Sequence, residues 1–529
     1  MQRLSTKKPD PNRVKNMHLI KILSSMLITL TLMANAQAAT HWVSKAGNDT
    51  NPCTQASPCL TIQRGVHVLK AGDTLNITRG TYSELATLPS GTPISHYQHR
   101  AGIVLVESGT ASQPIVIQAA PGDEGHVKID QKYQAMGFYF KFLEDYIHIK
   151  NIVFERCRVA CILSPDVPGG NADDPDSLVS RGVVVEGNSF LTCRTQMQGI
   201  NSATIRMDSS RNWTIKNNLI YGSTFHETDI NSAPAYVPNS GAVYAYNIFD
   251  TLVINNEIRD AWMGIWWKDT ANNPPLPSPS DGEPSGEEVQ SIIKYNKIIN
   301  AYVGVGWHAG RAGDTAGFNI VTNNIIENVY TGIYVEGDQQ EGWFRISQNF
   351  INIGNGGLAP QTRTQGIAIS ASDPAVTSKN KVLEATGNIF HNTNQRNIVL
   401  GDVHNQLEAI DINYNVYSQG VNAYIHGGNT YSNLSSWRSS NSHPIVADSN
   451  PGEHSIENID VSLLASDIAT GDYALPTHSA ARGMMPNGDN AGPYQKDNEV
   501  IGLLSSLMAP KTPTSHPKPP STLSVKISP

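Results

Sequence analysis

A lysine, a histidine, an arginine and two tyrosines recur at one phase of a repeating strand pattern, and side chains of these types can move a proton together. In Gly264-Ile265-Trp266-Trp267-Lys268 and Gly304-Val305-Gly306-Trp307-His308 the residue after the first Gly is apolar. Strand alternation then sends Trp266, Lys268 and His308 outward and keeps Trp267 and Trp307 inside. Tyr334 and Glu336 take the outward phase in the next copy. Counting back from the Asn pairs that follow puts Arg206, Asp208, Tyr244 and Tyr246 there too, with Tyr139 and Lys141 earlier and Tyr424 and His426 later. Removing a proton beside a carboxylate needs a base, a group that neutralises the carboxylate, and an acid for the departing oxygen. Lys268 fits the base if desolvation or neighbouring cations lower its pKa, and His308 can share that duty. Arg206 or Arg311 fits the carboxylate, and Tyr244 or Tyr246 the acid. Trp266, Tyr334, Glu336, Asp208, Arg311, Lys141 and Tyr139 are the expected substrate contacts, because aromatic faces suit sugar rings while charges orient carboxylates and hydroxyls. A single outward Lys or Asp is ordinarily just solvated surface, so the column is the signal rather than any one member.

The elements that must position this column are short strands. Asn-rich phrases recur at Asn217-Asn218, Asn255-Asn256, Asn296, Asn323-Asn324, Asn349, Asn388 and Asn413 to Asn415, with weaker copies at Asn151 and Asn188. They lie roughly 25 to 40 residues apart, a period that signals a solenoid. Each copy holds strands of four to six β-branched or aromatic residues bounded by Gly or Asn. Asn tolerates the left-handed conformation at a bend, and stacked amides can hydrogen-bond from copy to copy. The run Thr61 to Ala71 has helical spacing at Ile62, Val66 and Leu69 and stops at Gly72-Asp73, so it predicts a helix covering the first coil. Inserted loops are expected at 166–180, 222–240, 270–289, 309–317 and 354–365. Those at 270–289 and 309–317 would wall the column into a cleft.

Only 16% of the 529 residues are charged and 43 are Gly, which suits a turn-rich β protein. Lys and Arg residues precede an apolar run from Leu19 to Met33, and Ala36-Gln37-Ala38 fits a processing site, so residues 1–38 read as a secretory signal peptide. That segment holds six Lys/Arg and one Asp, and its removal takes the formal charge from −8 to −13. A nucleic-acid partner would call for a basic stripe, and none is present. No later segment is long and apolar enough to span a bilayer. An exported chain favours disulfides. Cys53 and Cys59 bracket a short loop. Cys157 and Cys193 hold the same phase in adjacent copies, which predicts their pairing and leaves Cys161 as a buried thiol. There is no CxxC and no paired-His spacing, so a metal site is not identified. Asp173-Asp174-Pro175-Asp176 makes calcium the one candidate cofactor, although a solvated loop is the favoured reading because the run lacks the ordered spacing and Gly of a calcium loop.

The opening resembles a known family. His41-Trp42-Val43-Ser44-Lys45-Ala46-Gly47-Asn48-Asp49, Pro58-Cys59-Leu60-Thr61-Ile62-Gln63, Ala71-Gly72-Asp73-Thr74, Gly80-Thr81-Tyr82, Ser108-Gly109-Thr110 and Gln113-Pro114-Ile115 are similar to the start of secreted proteins of the pectate-lyase-like superfamily. The branch is that of pectate lyase L, chondroitinase B and alginate lyases. The resemblance implies an all-β fold, a right-handed parallel β-helix (solenoid) with an N-terminal capping helix. The apolar run, the repeats and the composition divide the chain into a signal peptide (1–38), an N-terminal cap (39–82), the β-helix (83–430), a C-terminal cap (431–507) and a Pro/Ser/Lys-rich tail expected to be disordered (508–529). The Asp-Gly-Phe-x-x-Lys stretch of the pectate lyase L group does not occur. With the cationic column, the resemblance implies a secreted, monomeric, bacterial polysaccharide lyase acting on an anionic polysaccharide by β-elimination, extracellular or periplasmic. A glycoside hydrolase using Asp208, Asp269 and Glu336, a uronate C5-epimerase and a non-catalytic glycan-binding β-helix are the alternatives on the same scaffold.

Overall fold

One side chain repeated through the coils explains much of the architecture. Asn188, Asn218, Asn256, Asn296, Asn324, Asn349, Asn388 and Asn415 are buried and stacked in successive coils. The Oδ1 of each accepts the backbone N–H of its counterpart one coil earlier, at 2.8–3.0 Å. Each Nδ2 also donates to the next Oδ1, at 2.9–3.2 Å. The column begins where Ile152 N donates to Asn188 Oδ1 and ends where Asn415 N donates to Ser455 Oγ. A turn buried inside a solenoid would otherwise orphan these backbone groups. The residue just before each ladder Asn has positive φ, including Asn217, Asn255, Asn323 and also Tyr295, Gln348 and Tyr414. The bend therefore needs the left-handed conformation, which Asn enters most readily but does not monopolise.

The computed structural model describes residues 38–86, 100–141, 144–165, 179–193, 202–222, 240–268, 289–309, 315–337, 341–353, 365–370, 381–392, 396–400, 407–420, 423–426, 429–439, 453–470, 472–495 and 500–502. Within the unit Thr40–Pro529 the strands form three sheets of 12, 13 and 12 strands, and every coil contributes in turn to each. Pairing is parallel between successive coils. The chain folds as a right-handed parallel β-helix. Its interior is a continuous apolar stack that includes Phe138, Ile205, Val243, Ile265, Trp267, Trp307 and Ile333. Helix α1 (Ile62–Val66) covers the N-terminal end and buries Ile62, Gly65 and Val66. It is shorter than its apolar spacing predicts, and Leu69 is buried just beyond it. At the other end a strand over Asn429–Tyr431 pairs antiparallel to the last coil, and Trp437 of helix α2 (Leu434–Arg438) stacks on Tyr424 at 4.8 Å.

After a last strand of the third sheet over Ile456–Ile459, the described parts of 460–502 run back along that sheet's outward face. Leu464, Ala465, Tyr473, Leu475, Ala481, Ala491 and Ile501 cluster with the outward residues Ile325, Phe350, Ile389 and Val416 of four coils. Backbone bonds from Gly492 to Gly387 and from Gly502 to Tyr295, and the Asn323 amide on the Pro493 carbonyl, fix the path. Among the described residues no helix is long and apolar enough to cross a membrane.

Two expectations need correction. Cys53 pairs with Cys59, but Cys193 pairs with Cys161, and Cys157 is the buried free thiol. Cys157 does share its phase with Cys193, since Val153, Phe154 and Glu155 pair with Ser189, Phe190 and Leu191. Equal phase in parallel coils aims two Cβ bonds the same way, whereas a disulfide needs them to converge. Cys161 stands at the bend just before the following strand and bonds to Cys193. The second correction is Tyr424. A register shift between Arg396 and Ile398 pairs it with Ile398, so its ring is buried in the core instead of lying on the outer column.

The expected signal peptide apart from Ala38, most of the inserted loops, Asp269, Arg311, the Asp173-to-Asp176 run and the 508–529 tail lie outside the described residues.

Candidate active site

Seven strands of the 13-stranded sheet carry the column: β1 (Ala135–Phe140), β2 (Ile162–Ser164), β3 (Ser202–Arg211), β4 (Ser240–Phe249), β5 (Met263–Lys268), β6 (Val303–Ala309) and β7 (Thr331–Gly337). Two rows run along the solenoid axis. Asp208, Tyr246, Lys268, His308 and Glu336 are paired in register through five successive coils. The second row is Tyr139, Leu163, Arg206, Tyr244, Trp266, Gly306 and Tyr334. Tyr139 is thus two coils from Arg206, with Leu163 between them. Lys141 follows β1, half-buried.

The rows differ in access. Tyr246, Lys268, His308 and Tyr334 are half-buried. Arg206 is 4% exposed, Asp208 1%, Tyr244 0% and Trp266 3%, although they lie on the outside of the solenoid. Side chains at positions i and i+2 share a strand face. Arg206 accordingly donates from Nη2 and Nε to Asp208 Oδ2 at 2.6 and 2.7 Å. A pair this dry is held by its own geometry, and removing one partner would strand a buried charge. The Arg206 guanidinium also lies 5.5 Å from the Tyr246 ring centroid and 6.0 Å from that of Tyr244. Lys268 Nζ is 6.0 Å from the Tyr246 ring. Tyr246 therefore contacts cations from the coils on both sides, an arrangement its quadrupole favours.

Burial is the main reason the Tyr244 hydroxyl titrates well above a free tyrosine, and the neighbouring Tyr246 adds to it. Tyr139 is raised for the same reason, with the buried Glu144 adding to the effect. Both phenols stay protonated at neutral pH.

Gly306 makes room for an aromatic ring. A Cβ there would lie 2.3 Å from Trp266, whose indole covers the backbone of the next coil. Trp266 stacks against Tyr334 at 6.2 Å and against His308 at 6.4 Å. The imidazole thus lies against the indole of Trp266, and its register partner on the same preceding strand is Lys268.

Sequence reasoning missed the apolar border of this strip. Ala203, Met263 and Val303 pack with Tyr244 and Trp266 beside the rows. Beyond them Trp262, Tyr302 and Tyr330 stack face to face at 4.5 and 4.7 Å. The signal was present as one aromatic before each of Met263-Gly264, Val303-Gly304 and Thr331-Gly332. Their ring faces are used against one another, so the stack is a wall with its edges outward. Glu144 was also missed, because it lies past the end of its strand, where the alternation no longer applies.

No family model matches the chain, and no curated protein does. Solved structures with a similar trace include pectate lyase Pel9A (12% identity, TM-score 0.42, covering 88% of this chain and 98% of that one). A mannuronic acid specific polysaccharide family 6 lyase from human gut microbiota is similar over 74% of this chain and 78% of its own (11%, TM-score 0.38). So is a GH136 lacto-N-biosidase from Eubacterium ramulus, over 85% and 72% (11%, TM-score 0.39). Two kinds of lyase and a biosidase share this likeness about equally, and at these values it carries no argument about chemistry.

Proposed function

We propose that the chain is a secreted polysaccharide lyase that cleaves a uronic-acid-containing glycan by β-elimination on the outer strip of β3 to β7. The observation that carries this reading is the run Tyr246, Lys268 and His308, in register in three neighbouring coils. It brings a phenol, an amine and an imidazole within about 10 Å along the axis, against an aromatic wall. In this reading Lys268 Nζ takes the proton from the carbon beside the carboxylate. The His308 ring meets the carboxylate and orients it, and the Tyr246 hydroxyl protonates the departing glycosidic oxygen. The electron pair of the broken C–H bond becomes the new double bond as the C–O bond opens. Arg206 already serves Asp208, so its part is to hold Tyr246 in place rather than to meet substrate. Trp266 and Tyr334 line the bound sugar.

The test is ultraviolet absorbance of unsaturated uronate when purified residues 39–529 meet alginate, pectate, hyaluronan, chondroitin and bacterial exopolysaccharides, with calcium and with chelator. Rising absorbance that is lost in Lys268→Ala supports the reading. New reducing ends without absorbance would replace it with hydrolysis by the carboxylates.

A further inference from the structure

We propose that the outward face of the first sheet is the contact between two copies of this chain, packed face to face with their solenoid axes antiparallel. The three sheets are finished differently on the outside. The third is covered by the returning chain, and on the second Tyr244 and Trp266 are buried with their apolar neighbours. Among the described residues, no cluster of buried side chains lies over the outward rows of the first. Its middle coils nevertheless carry apolar residues there. Leu252, Ile292 and Ile320 are register partners in three successive coils. Ile254 shares the face of Leu252, two residues along the same strand. All four are half-buried, while Val253, Ile293 and Val321 take the inward phase and belong to the core. An apolar strip left open and rimmed by charge marks a contact site.

The charges on either side of the strip set the orientation. On its N-terminal side Glu186 lies between Lys150 and Lys216 of the flanking coils, at 3.3 and 3.1 Å. On its C-terminal side Arg345 donates to Glu384 at 2.5 Å, and Asp411 follows in the same row. The first group sets two Lys against one Glu, and the second sets one Arg against a Glu and an Asp, so the two ends differ in sign. A two-fold axis parallel to the strands and midway between Leu252 and Ile292 reverses the coil order of the second copy. Leu252 then faces Ile292 of that copy. The strand of Lys216 faces that of Ile320 and Thr322, the strand of Glu186 faces that of Arg345, and the strand of Lys150 faces that of Glu384. No strand in this set meets one of like charge. A two-fold axis along the solenoid would instead set each coil against itself, Lys beside Lys and Glu beside Glu. Each antiparallel contact occurs twice, as an isologous interface requires. The apolar centre supplies affinity, and the charged rim supplies register. From Ile147–Lys150 to Lys381–Thr386 the face spans about 34 Å at ~4.8 Å per strand. Its strands are short, so the face is narrow and the association is of the weak, concentration-dependent kind. It leaves the 13-stranded sheet of both copies open, and it stands in place of the monomer that the resemblance implied.

The experiment is sedimentation velocity on purified residues 39–529, which include the whole compact unit Thr40–Pro529, over a series of protein concentrations. The sedimentation coefficient should rise with concentration toward that of a dimer. Ile292→Lys places an amine opposite Leu252 at the centre of the contact. It should raise the dimer dissociation constant about tenfold or more and leave the melting temperature near that of the parent. Arg345→Glu and Glu186→Arg should each raise it by a similar factor, because each sets like charges opposite one another at both symmetric contacts. In an equal mixture of these two variants the heterodimer has one parental contact and one with the signs exchanged. The mixture should therefore recover to within about threefold of the parent, which variants that had merely misfolded would not do. A monomer at every concentration overturns the proposal. So does a dimer that Ile292→Lys leaves intact, and so do charge variants that weaken the dimer without complementing each other.

Discussion

Tyr246 stands between the Arg206 guanidinium of the preceding coil and the Lys268 amine of the next. Its phenyl face fixes where the amine sits, and its hydroxyl is the proposed acid. Tyr246→Phe keeps the ring and should lower kcat about 100-fold with little change in KM, while Tyr246→Ala should also raise KM; steady-state kinetics separate the two. Lys268→Ala should lower kcat/KM by about 10² to 10⁴, the usual range for a lost proton-transfer group, and His308→Ala, which removes the partner of the carboxylate, by about 10² to 10³, both with melting temperatures near that of the parent. Gly306→Ala is a different case, because its methyl would overlap the indole of Trp266. It should destabilise the chain by about 1–3 kcal/mol, as overpacking does, and weaken substrate binding together with stability. At this scale the rows were readable because strand alternation has period 2, and the aligned Gly phrases gave the phase. The ion pair of Arg206 with Asp208 was open to the same reading, since both share a face. What alternation could not give is that the pair is buried, because a strand's period says which face a side chain takes and not how exposed that face is.

The stacked asparagines and the glycine phrases belong to the scale of the coil. Each interior ladder amide makes several buried hydrogen bonds, and Asn296 bonds to Asn256, Asn324 and the carbonyls of Val253 and Lys294. Asn296→Ala should therefore cost about 2–5 kcal/mol, because its removal leaves more than one buried group unsatisfied. Asn352→Ala, half-buried on the outer face, should cost far less, and urea midpoints would compare them. The ladder was legible because Asn recurs in a fixed frame. Gly264, Gly304 and Gly332 recur as well, and the reason is visible only in three dimensions: a Cβ at each would lie 2.4–2.5 Å from the carbonyl oxygen of the next coil's glycine. The cysteines show where a linear frame fails. Phase alone pairs Cys157 with Cys193, yet the three sulfurs of Cys157, Cys161 and Cys193 lie within 4.8 Å of one another and direction decides between them. Peptide mapping should find the bridge intact in Cys157→Ser and absent in Cys161→Ser.

Across the whole molecule the least legible feature is the return, over the third sheet, of the described chain that follows Ile459. The outward Ile325, Phe350, Ile389 and Val416 read from sequence as ordinary strand residues, and nothing local marks them as covered. Truncation after residue 455 would expose all four, each worth about 1.5–3 kcal/mol when buried. The shortened chain should melt markedly lower and aggregate, as calorimetry and light scattering would show. Stability should also have an alkaline limit. Burial is the first cause raising the pKa of Tyr139, Tyr244, Tyr417, Tyr424 and Tyr473 above that of a free tyrosine. Below pH ~10 these phenols are neutral in both folded and unfolded chains. Above it the unfolded chain ionises first, so their contribution is lost as pH rises toward the folded values. The melting temperature should fall above pH ~10, with tyrosinate absorbance appearing together with unfolding rather than before it. A parallel solenoid has one further property. Nothing in its repeat limits its length, and each terminal coil is a template for another. Here the asparagine column stops at the Ser455 hydroxyl, the 13-stranded sheet stops at an antiparallel strand, and Trp437 covers the last ring. These close one end of the solenoid as helix α1 closes the other, and a chain cut after Ile425 would bare a single open edge through which two copies should join end to end, a pairing that light scattering would show, in an Ile292→Lys background, as a dimer.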